Sequence, residues 1–266
     1  MLTRGALRLL GALVLTSQPV CSHKPANETQ RPRVVSLHDV TTEIVVALGA
    51  SDLLVAVADP IEQPEAVERE VAAIRRAHDV ESVIAAAPTL LLGMDVIEKR
   101  SPDLINQLRV RGIEVLLGAP RTLEGSFAFI STIGERLGRS PQASNLVKQL
   151  RHRAQAVSHT KVEPPLSEPA RRGDASKVEV FVYDCCDPPF TAGGTGVLSD
   201  LISRAGGRNV FSKVEAQWSA VAWEAAVAGR PQLIVVNDYA MAGQADVAGK
   251  RARLATVPGL SDVPTV

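Results

Sequence analysis

The chain has 266 residues, of which 45% are apolar, and this composition is typical of a globular protein with one or two domains. Lysine plus arginine and aspartate plus glutamate number 29 each, and no stretch is strongly basic. Nucleic-acid binding is therefore excluded, because contact with phosphates requires clustered cations.

The first residues, 1–22, have the pattern of a secretory signal peptide. Two arginines precede an apolar run at 9–16, which is far shorter than the ~20 residues that span a bilayer. Cys21 would suit a lipid anchor, but the three residues before it match the usual lead-in poorly. We expect an exported, periplasmic protein whose mature chain begins with a polar linker at 23–32.

Residues 33–139 predict an N-terminal lobe in which strands alternate with helices. The predicted strands are apolar without polar alternation and lie at 34–37, 53–57, 89–92 and 115–117. The predicted helices lie at 41–48, 104–110 and 122–137, and Asp79 is suited to cap a further short one. Short apolar strands between helices indicate a parallel sheet that is covered on both faces.

A long bridging helix is predicted at 140–160. Ser140 and Pro141 are both favoured at helix starts, and no glycine or proline interrupts the segment before Pro164. Apolar residues recur at helical spacing on one face, namely Ala143, Leu146, Val147, Leu150, Ala154 and Val157. A proline-rich loop at 161–176 then precedes a C-terminal lobe at 177–266.

The two sides of this helix repeat the same pattern. Each side has an apolar first strand, and each has a glutamate, six residues, a proline and a second apolar strand, starting at Glu81 and at Glu224. Matched units on either side of one helix predict two similar α/β lobes joined by that helix. Fewer strands are predicted in the C-terminal lobe than in the N-terminal lobe, so we expect part of the C-terminal lobe to be missing from this sequence.

Cys185 and Cys186 are adjacent in the sequence. The Cα separation that a relaxed disulfide usually requires exceeds what one peptide bond spans. We therefore expect two inert thiols in a loop and no disulfide scaffold.

Several motifs occur in an order that resembles a known family. They are the segment Arg33–Val57, the two glutamate–proline units, and Pro189–Phe211 followed by Trp218 and Trp223. They resemble the class III periplasmic binding proteins, which serve ABC importers of cobalamin, ferric siderophores and haem. The resemblance covers roughly residues 33–262. It implies two Rossmann-like lobes with parallel sheets bridged by one long α-helix, and a monomer without cofactor or enzymatic activity that binds a metal chelate.

The resemblance also implies a partner, the ABC permease at the membrane surface. In this family a glutamate at the outer tip of each lobe docks with arginine pockets of the permease, and the matching positions are Glu81 and Glu224. A purely structural role is the alternative, because an acid in the first turn of a helix gains ~0.3–1 kcal/mol from the helix dipole.

We expect the ligand in a cleft between the lobes, outside the carboxyl ends of the strands. The candidate contacts that follow strands or belong to the nearby loops are His38, Asp39, Asp59, Tyr183, Phe190, Thr191, Trp218 and Tyr239. Three aromatic side chains are suited to line a site for a planar or bulky chelate, namely Tyr183, Phe190 and Trp218. Phe190 and Trp218 would also fit a place in the hydrophobic core. No tyrosine follows the second strand, where haem-binding members often have one, so cobalamin or a ferric siderophore is expected before haem.

Two other classes of function are alternatives. An α/β enzyme is disfavoured because the glycines at 192–196 lack the G-x-G-x-x-G spacing and no lysine of a P-loop follows them. A free-metal protein for zinc or manganese remains the alternative, but of five histidines only His38 is placed for it. A single histidine more commonly forms a hydrogen bond in a loop, so no metal ligand is assigned.

Overall fold

The computed structural model describes residues 31–59, 64–159, 177–238 and 246–266. The expected signal peptide, Cys21, the loop after the long helix and Tyr239 lie outside these residues. The strands are β1 (Val34–Ser36), β2 (Leu54–Val57), β3 (Leu90–Met94), β4 (Glu114–Gly118), β5 (Val178–Tyr183), β6 (Phe190–Ala192), β7 (Gly207–Asn209), β8 (Trp218–Ala220) and β9 (Leu233–Val236). The helices are α1 (Asp39–Ala47), α2 (Glu65–Val71), α3 (Val80–Ala85), α4 (Asp95–Arg100), α5 (Pro102–Val110), α6 (Leu123–Arg136), α7 (Ser140–His159), α8 (Val197–Arg204), α9 (Trp223–Ala228) and α10 (Val247–Ala255).

The first sheet is parallel and has the strand order β2-β1-β3-β4. Its two faces carry separate hydrophobic cores. On β1, Val34 and Val35 are both fully buried, yet Val34 belongs to one core with Ile133, and Val35 belongs to the other with Ile105. Consecutive residues of a strand point to opposite faces. Both faces of this sheet are therefore covered by helices, as the unalternated strands predicted.

The long helix α7 is confirmed over Ser140–His159. Ala143 and Val147 of its apolar face are buried in the first core, and Leu146 and Leu150 pack against that core. A Cβ at Gly134 of α6 would collide with the side chain of Ala143. The glycine lets the two helices approach closely, so the first half of α7 is fixed on the N-terminal lobe.

The second sheet is also parallel, with the order β7-β5-β9. The segment 264–266 lies beside β9, because Ile234 N donates to Pro264 O at 2.8 Å and Val266 N donates to Ile234 O at 2.9 Å. A separate antiparallel pair, β6 with β8, follows the carboxyl end of β5. The sequence did not predict this pair, since each of its strands has only three residues.

The internal repeat extends to the backbone. Helices α3 and α9 each have six residues, and a proline and a strand follow each of them. The residue before each proline, Ala87 or Arg230, has φ +46°. Such left-handed conformations are rare outside glycine, so the same uncommon turn is built twice.

Replacing Ala87 with glycine is expected to raise the free energy of unfolding by about 0.5–1 kcal/mol. A left-handed L-residue costs ~1–2 kcal/mol, and the greater freedom of glycine in the unfolded chain offsets ~0.4–1 kcal/mol of that gain. Ala87 is exposed, so little packing is lost. Urea denaturation measures the change. The control, Ala85→Gly within α3, should lower stability, and an Ala87→Gly variant that is also less stable would contradict the account.

The two lobes touch directly where α6 and α8 begin. Arg121 Nη1 donates to Thr195 Oγ1 at 3.1 Å, and Leu123 N donates to Asp200 Oδ2 at 2.9 Å. Burial opposes ionisation of Asp200, but hydrogen bonds from Leu123 N and from Arg204 lower the pKa of this carboxyl overall. A charged carboxylate thus accepts the backbone N–H at the start of α6, which is a favourable place for an anion.

No helix within the four described ranges combines the length and the apolar character that a membrane span requires.

Candidate functional site

His38 is fixed at the carboxyl end of β1. It caps α1, because its Nδ1 accepts the N–H of Val40 at 3.2 Å. The Ser36 hydroxyl beneath it is within hydrogen-bonding distance of the Thr41 hydroxyl at 2.8 Å and of the Thr42 hydroxyl at 2.9 Å. Both threonine hydroxyls also donate to His38 O. This buried hydroxyl network holds the backbone of His38 in place.

The surroundings of His38 favour the neutral form of its imidazole. Burial lowers the pKa of His38, Asp39 partly opposes this, and Arg100 lowers the pKa further. Because Nδ1 is the acceptor, the neutral ring carries its proton on Nε2. Among the described residues, no three histidine, cysteine, aspartate or glutamate side chains converge to hold a metal ion.

We expect the free energy of unfolding to fall as the pH drops below about 6.5, the usual pKa of histidine. The folded state holds His38 below that value, so the unfolded chain binds the proton first and acid favours unfolding. A His38→Asn variant keeps a capping side chain that does not titrate. Urea denaturation at several pH values should show a weaker pH dependence in this variant. Identical profiles for the two proteins would contradict this role of His38.

The two predicted carboxylates of the N-terminal lobe have different surroundings. Asp39 is the first residue of α1 and is partly exposed. Asp59 follows β2 and is paired with His78, since its Oδ2 lies 2.8 Å from His78 Nδ1. The side chains of this pair are 63% and 58% exposed, so Asp59 remains accessible at the end of its strand. No local sequence pattern connects Asp59 with His78.

Two of the predicted aromatics form a stacked pair beyond the carboxyl end of β5. The rings of Phe190 and Trp218 are 5.9 Å apart, with 9° between their planes. The β6–β8 ladder contributes to their positions, because Phe190 pairs with Ala220 and Trp218 pairs with Ala192. Trp218 is 37% exposed. The pair therefore presents an aromatic surface to solvent.

Tyr183 and Thr191 were expected to contact the ligand, but the side chains of both residues are buried. Tyr183 is 3% exposed, and its ring packs edge-on against Trp223 at 5.3 Å. The pKa of Tyr183 is raised overall, mainly by burial. Arg253 partly opposes this increase, and Asp187 adds to it. Thr191 is fully buried, and its hydroxyl has no partner among the described residues. Tyr183 thus supports this region from within the core and does not form an exposed wall.

Cys185 and Cys186 form a disulfide, so the expectation of two inert thiols was wrong. Cys186 has φ +77°, in the left-handed region, and the Cα atoms are 3.7 Å apart. This separation is shorter than the ~4.4–6.8 Å that is usual for disulfides. At this site an unusual backbone conformation accompanies the link between neighbouring residues. Cys185 is buried, whereas Cys186 is exposed.

The next residue, Asp187, joins three elements. Its Oδ1 accepts Trp223 Nε1–H at 2.9 Å, and its Oδ2 accepts a hydrogen bond from Arg253 Nη2 at 2.5 Å. The guanidinium of Arg253 also lies 5.2 Å from the centre of the Trp223 ring. Sequence reasoning missed this cluster, because Arg253 is on α10, which carried no motif.

The glycines before α8 serve the packing of the chain. A Cβ at Gly193 would collide with Ala216 O, and one at Gly194 would collide with Ser212 O. The side chain of Asn209 donates to Ala192 O at 2.8 Å in the same region. Glycine is therefore required here for close contact between two backbone segments.

Glu81 and Glu224 occupy equivalent places in the repeat. Each is exposed, and each lies in the first turn of a short helix, α3 or α9. The start of α3 is fixed by Asp79 and Ser82, whose side chains cap each other's backbone N–H groups. Within the described ranges, neither glutamate has an ion-pair or hydrogen-bond partner. Both carboxylates are thus free to meet a partner surface.

Comparison with known proteins places this geometry in a family. The chain is 28% identical over 206 residues to the vitamin B12-binding protein of Yersinia pestis (strain Pestoides F), covering 77% of this chain and 69% of that protein. The periplasmic haem-binding protein HutB of Vibrio cholerae has a TM-score of 0.66 at 22% identity, covering 89% of each chain. An ABC-type Fe3+-hydroxamate transport protein of Saccharomonospora viridis has a TM-score of 0.64 at 21% identity, covering 88% and 85% of the two chains. A family model described as periplasmic binding protein matches residues 34–266, and the chain belongs to that family, as its motifs indicated.

Proposed function

We propose that this protein is an extracytoplasmic substrate-binding protein that delivers an intact metal chelate to an ABC importer. The observation that carries the proposal is the partly exposed stack of Phe190 and Trp218 beyond the carboxyl end of β5. Flat aromatic surfaces suit planar or bulky ligands. The sites of α/β sheets lie outside the carboxyl ends of the strands, where His38, Asp39 and Asp59 also occur.

Cobalamin or a ferric siderophore is proposed ahead of haem. The relative with 28% identity is a vitamin B12-binding protein, and it supports the first choice. The loop after β2 has no tyrosine to ligate haem iron, and Tyr239 remains a predicted contact. The protein is proposed to act as a monomer without catalytic activity.

The proposed partner is the membrane permease, contacted through Glu81 and Glu224. Their exposure, their equivalent positions and their lack of partners among the described residues support this role. Carboxylates are suited to pair with arginines, and the capped first turn of α3 holds the backbone of Glu81 in place. The leader predicted at 1–22 supports an exported location.

A fluorescence titration tests the proposal, because both tryptophans of the chain are near the proposed site or the proposed docking helix. Cyanocobalamin, haemin and a ferric hydroxamate are each added to the protein after treatment with a chelator. At least one of them should quench emission with saturation. Zinc and manganese salts are added in parallel. Saturable binding of a bare ion, without a response to any chelate, would instead support the free-metal alternative.

A further inference from the structure

The turn from Asp184 to Phe190 connects β5 with the aromatic stack. Phe190 N donates to Cys185 O at 2.8 Å, and Asp184 N donates to Phe190 O at 3.0 Å. These two bonds pair Cys185 with Phe190 across the turn. The disulfide therefore begins at the residue whose backbone positions Phe190 against Trp218.

The other side of the same turn is hydrogen-bonded to the start of helix α9. Tyr183 OH donates to Cys186 O at 3.1 Å. Asp187, the residue after the disulfide, accepts hydrogen bonds from Trp223 and from Arg253. Trp223 is the first residue of α9 and is adjacent to Glu224. A single short turn thus contacts the aromatic stack and the start of the helix that carries the second proposed docking group.

We propose that the Cys185–Cys186 disulfide holds this turn in its observed conformation, and that reduction of the disulfide weakens ligand binding. The part concerning ligand affinity rests on the function proposed above. Cys186 has φ +77°, a conformation that L-residues avoid unless their surroundings impose it. The covalent link helps to impose it, so breaking the link allows the turn to relax. Phe190 then loses the part of its placement that this turn provides, while the β6–β8 ladder still holds its other side.

The chemical step is thiol–disulfide exchange. A dithiol reductant attacks one sulfur, the S–S bond breaks, and the second thiol of the reductant completes the exchange. The protein gains two electrons and two protons and ends with two thiols, while the reductant closes into its own disulfide. The exposure of Cys186 provides access for the attacking thiolate.

The first test counts thiols by alkylation and peptide mass spectrometry. In the oxidised protein Cys185 and Cys186 should resist iodoacetamide, and both should be alkylated after reduction. Alkylation of both residues without reductant would overturn the proposal. Dithiothreitol is then removed under anaerobic conditions, so that it does not reduce the added ligands.

The second test compares the oxidised and reduced proteins. Tryptophan emission should change on reduction even without ligand. Trp218 is stacked on Phe190, and Trp223 is hydrogen-bonded to Asp187. The affinity for whichever of cyanocobalamin, haemin or ferric hydroxamate binds should fall about tenfold through loss of preorganisation. The double variant Cys185→Ser/Cys186→Ser should have the emission and the affinity of the reduced protein, and adding the reductant should change neither.

Two outcomes are decisive. Equal emission and equal affinity in the oxidised and reduced proteins would overturn the proposed role of the disulfide. If no ligand binds either form, the proposed function fails by itself. The ligand-free emission then still decides whether the disulfide holds the turn.

Discussion

Replacing Trp218 with alanine is expected to weaken chelate binding by ~1–3 kcal/mol, the usual effect of removing an aromatic anchor. Trp218 is stacked on Phe190 and 37% exposed, so its ring is available to a ligand. Its place in the β6–β8 ladder depends on backbone hydrogen bonds, which alanine can also form. The affinity is measured by calorimetric titration with the chelate that binds the wild-type protein.

A matched Trp218→Phe variant provides the control. Phenylalanine retains a ring that can stack on Phe190, so most of the affinity should return. Thermal melting verifies that both variants are folded. Unchanged affinity in a folded Trp218→Ala protein would remove Trp218 from the site.

Changing both Glu81 and Glu224 to alanine is expected to abolish most transport in cells while leaving ligand affinity unchanged. Loss of one partner of a desolvated charge pair costs ~2–5 kcal/mol, and two such pairs with the permease would be lost. The free energy of unfolding should fall by only about 1 kcal/mol for the pair, through the helix-dipole contribution. Uptake of labelled ligand and calorimetric binding measure the two effects separately.

The control for this experiment is Glu65→Ala. Glu65 is an exposed acid in the first turn of α2, so its loss has a similar effect on a helix dipole. Transport should be normal in this variant. Normal transport in the Glu81→Ala/Glu224→Ala protein would show that these residues have only the structural role.

The elements that the sequence predicted well are those with a strong local pattern. Apolar spacing and a favourable start defined Ser140–His159, and unalternated apolar runs identified β1, β2 and β3. The repeat was also visible, because each unit combines a glutamate, a fixed spacing and a proline. Such signals depend on residues that are close in the chain, so they can be interpreted before the fold is known.

Much of the candidate site depends on contacts between distant residues and could not be predicted in this way. Asp187 meets Arg253 across 66 positions, and no local pattern connects the two residues. The β6–β8 pair has strands too short to show a periodicity. Tyr183 has a residue type suited to a binding wall, but it is buried against Trp223. Residue type alone could not show which side chains are exposed, because packing decides this.

Native mass spectrometry of the folded protein mixed with cyanocobalamin, haemin and a ferric hydroxamate tests the central claim most directly. A binding protein for chelates should gain the mass of one intact metal chelate. Competition among the three ligands should identify which one is preferred. A gain equal to a bare metal ion, or no gain with any of the three, would contradict the account.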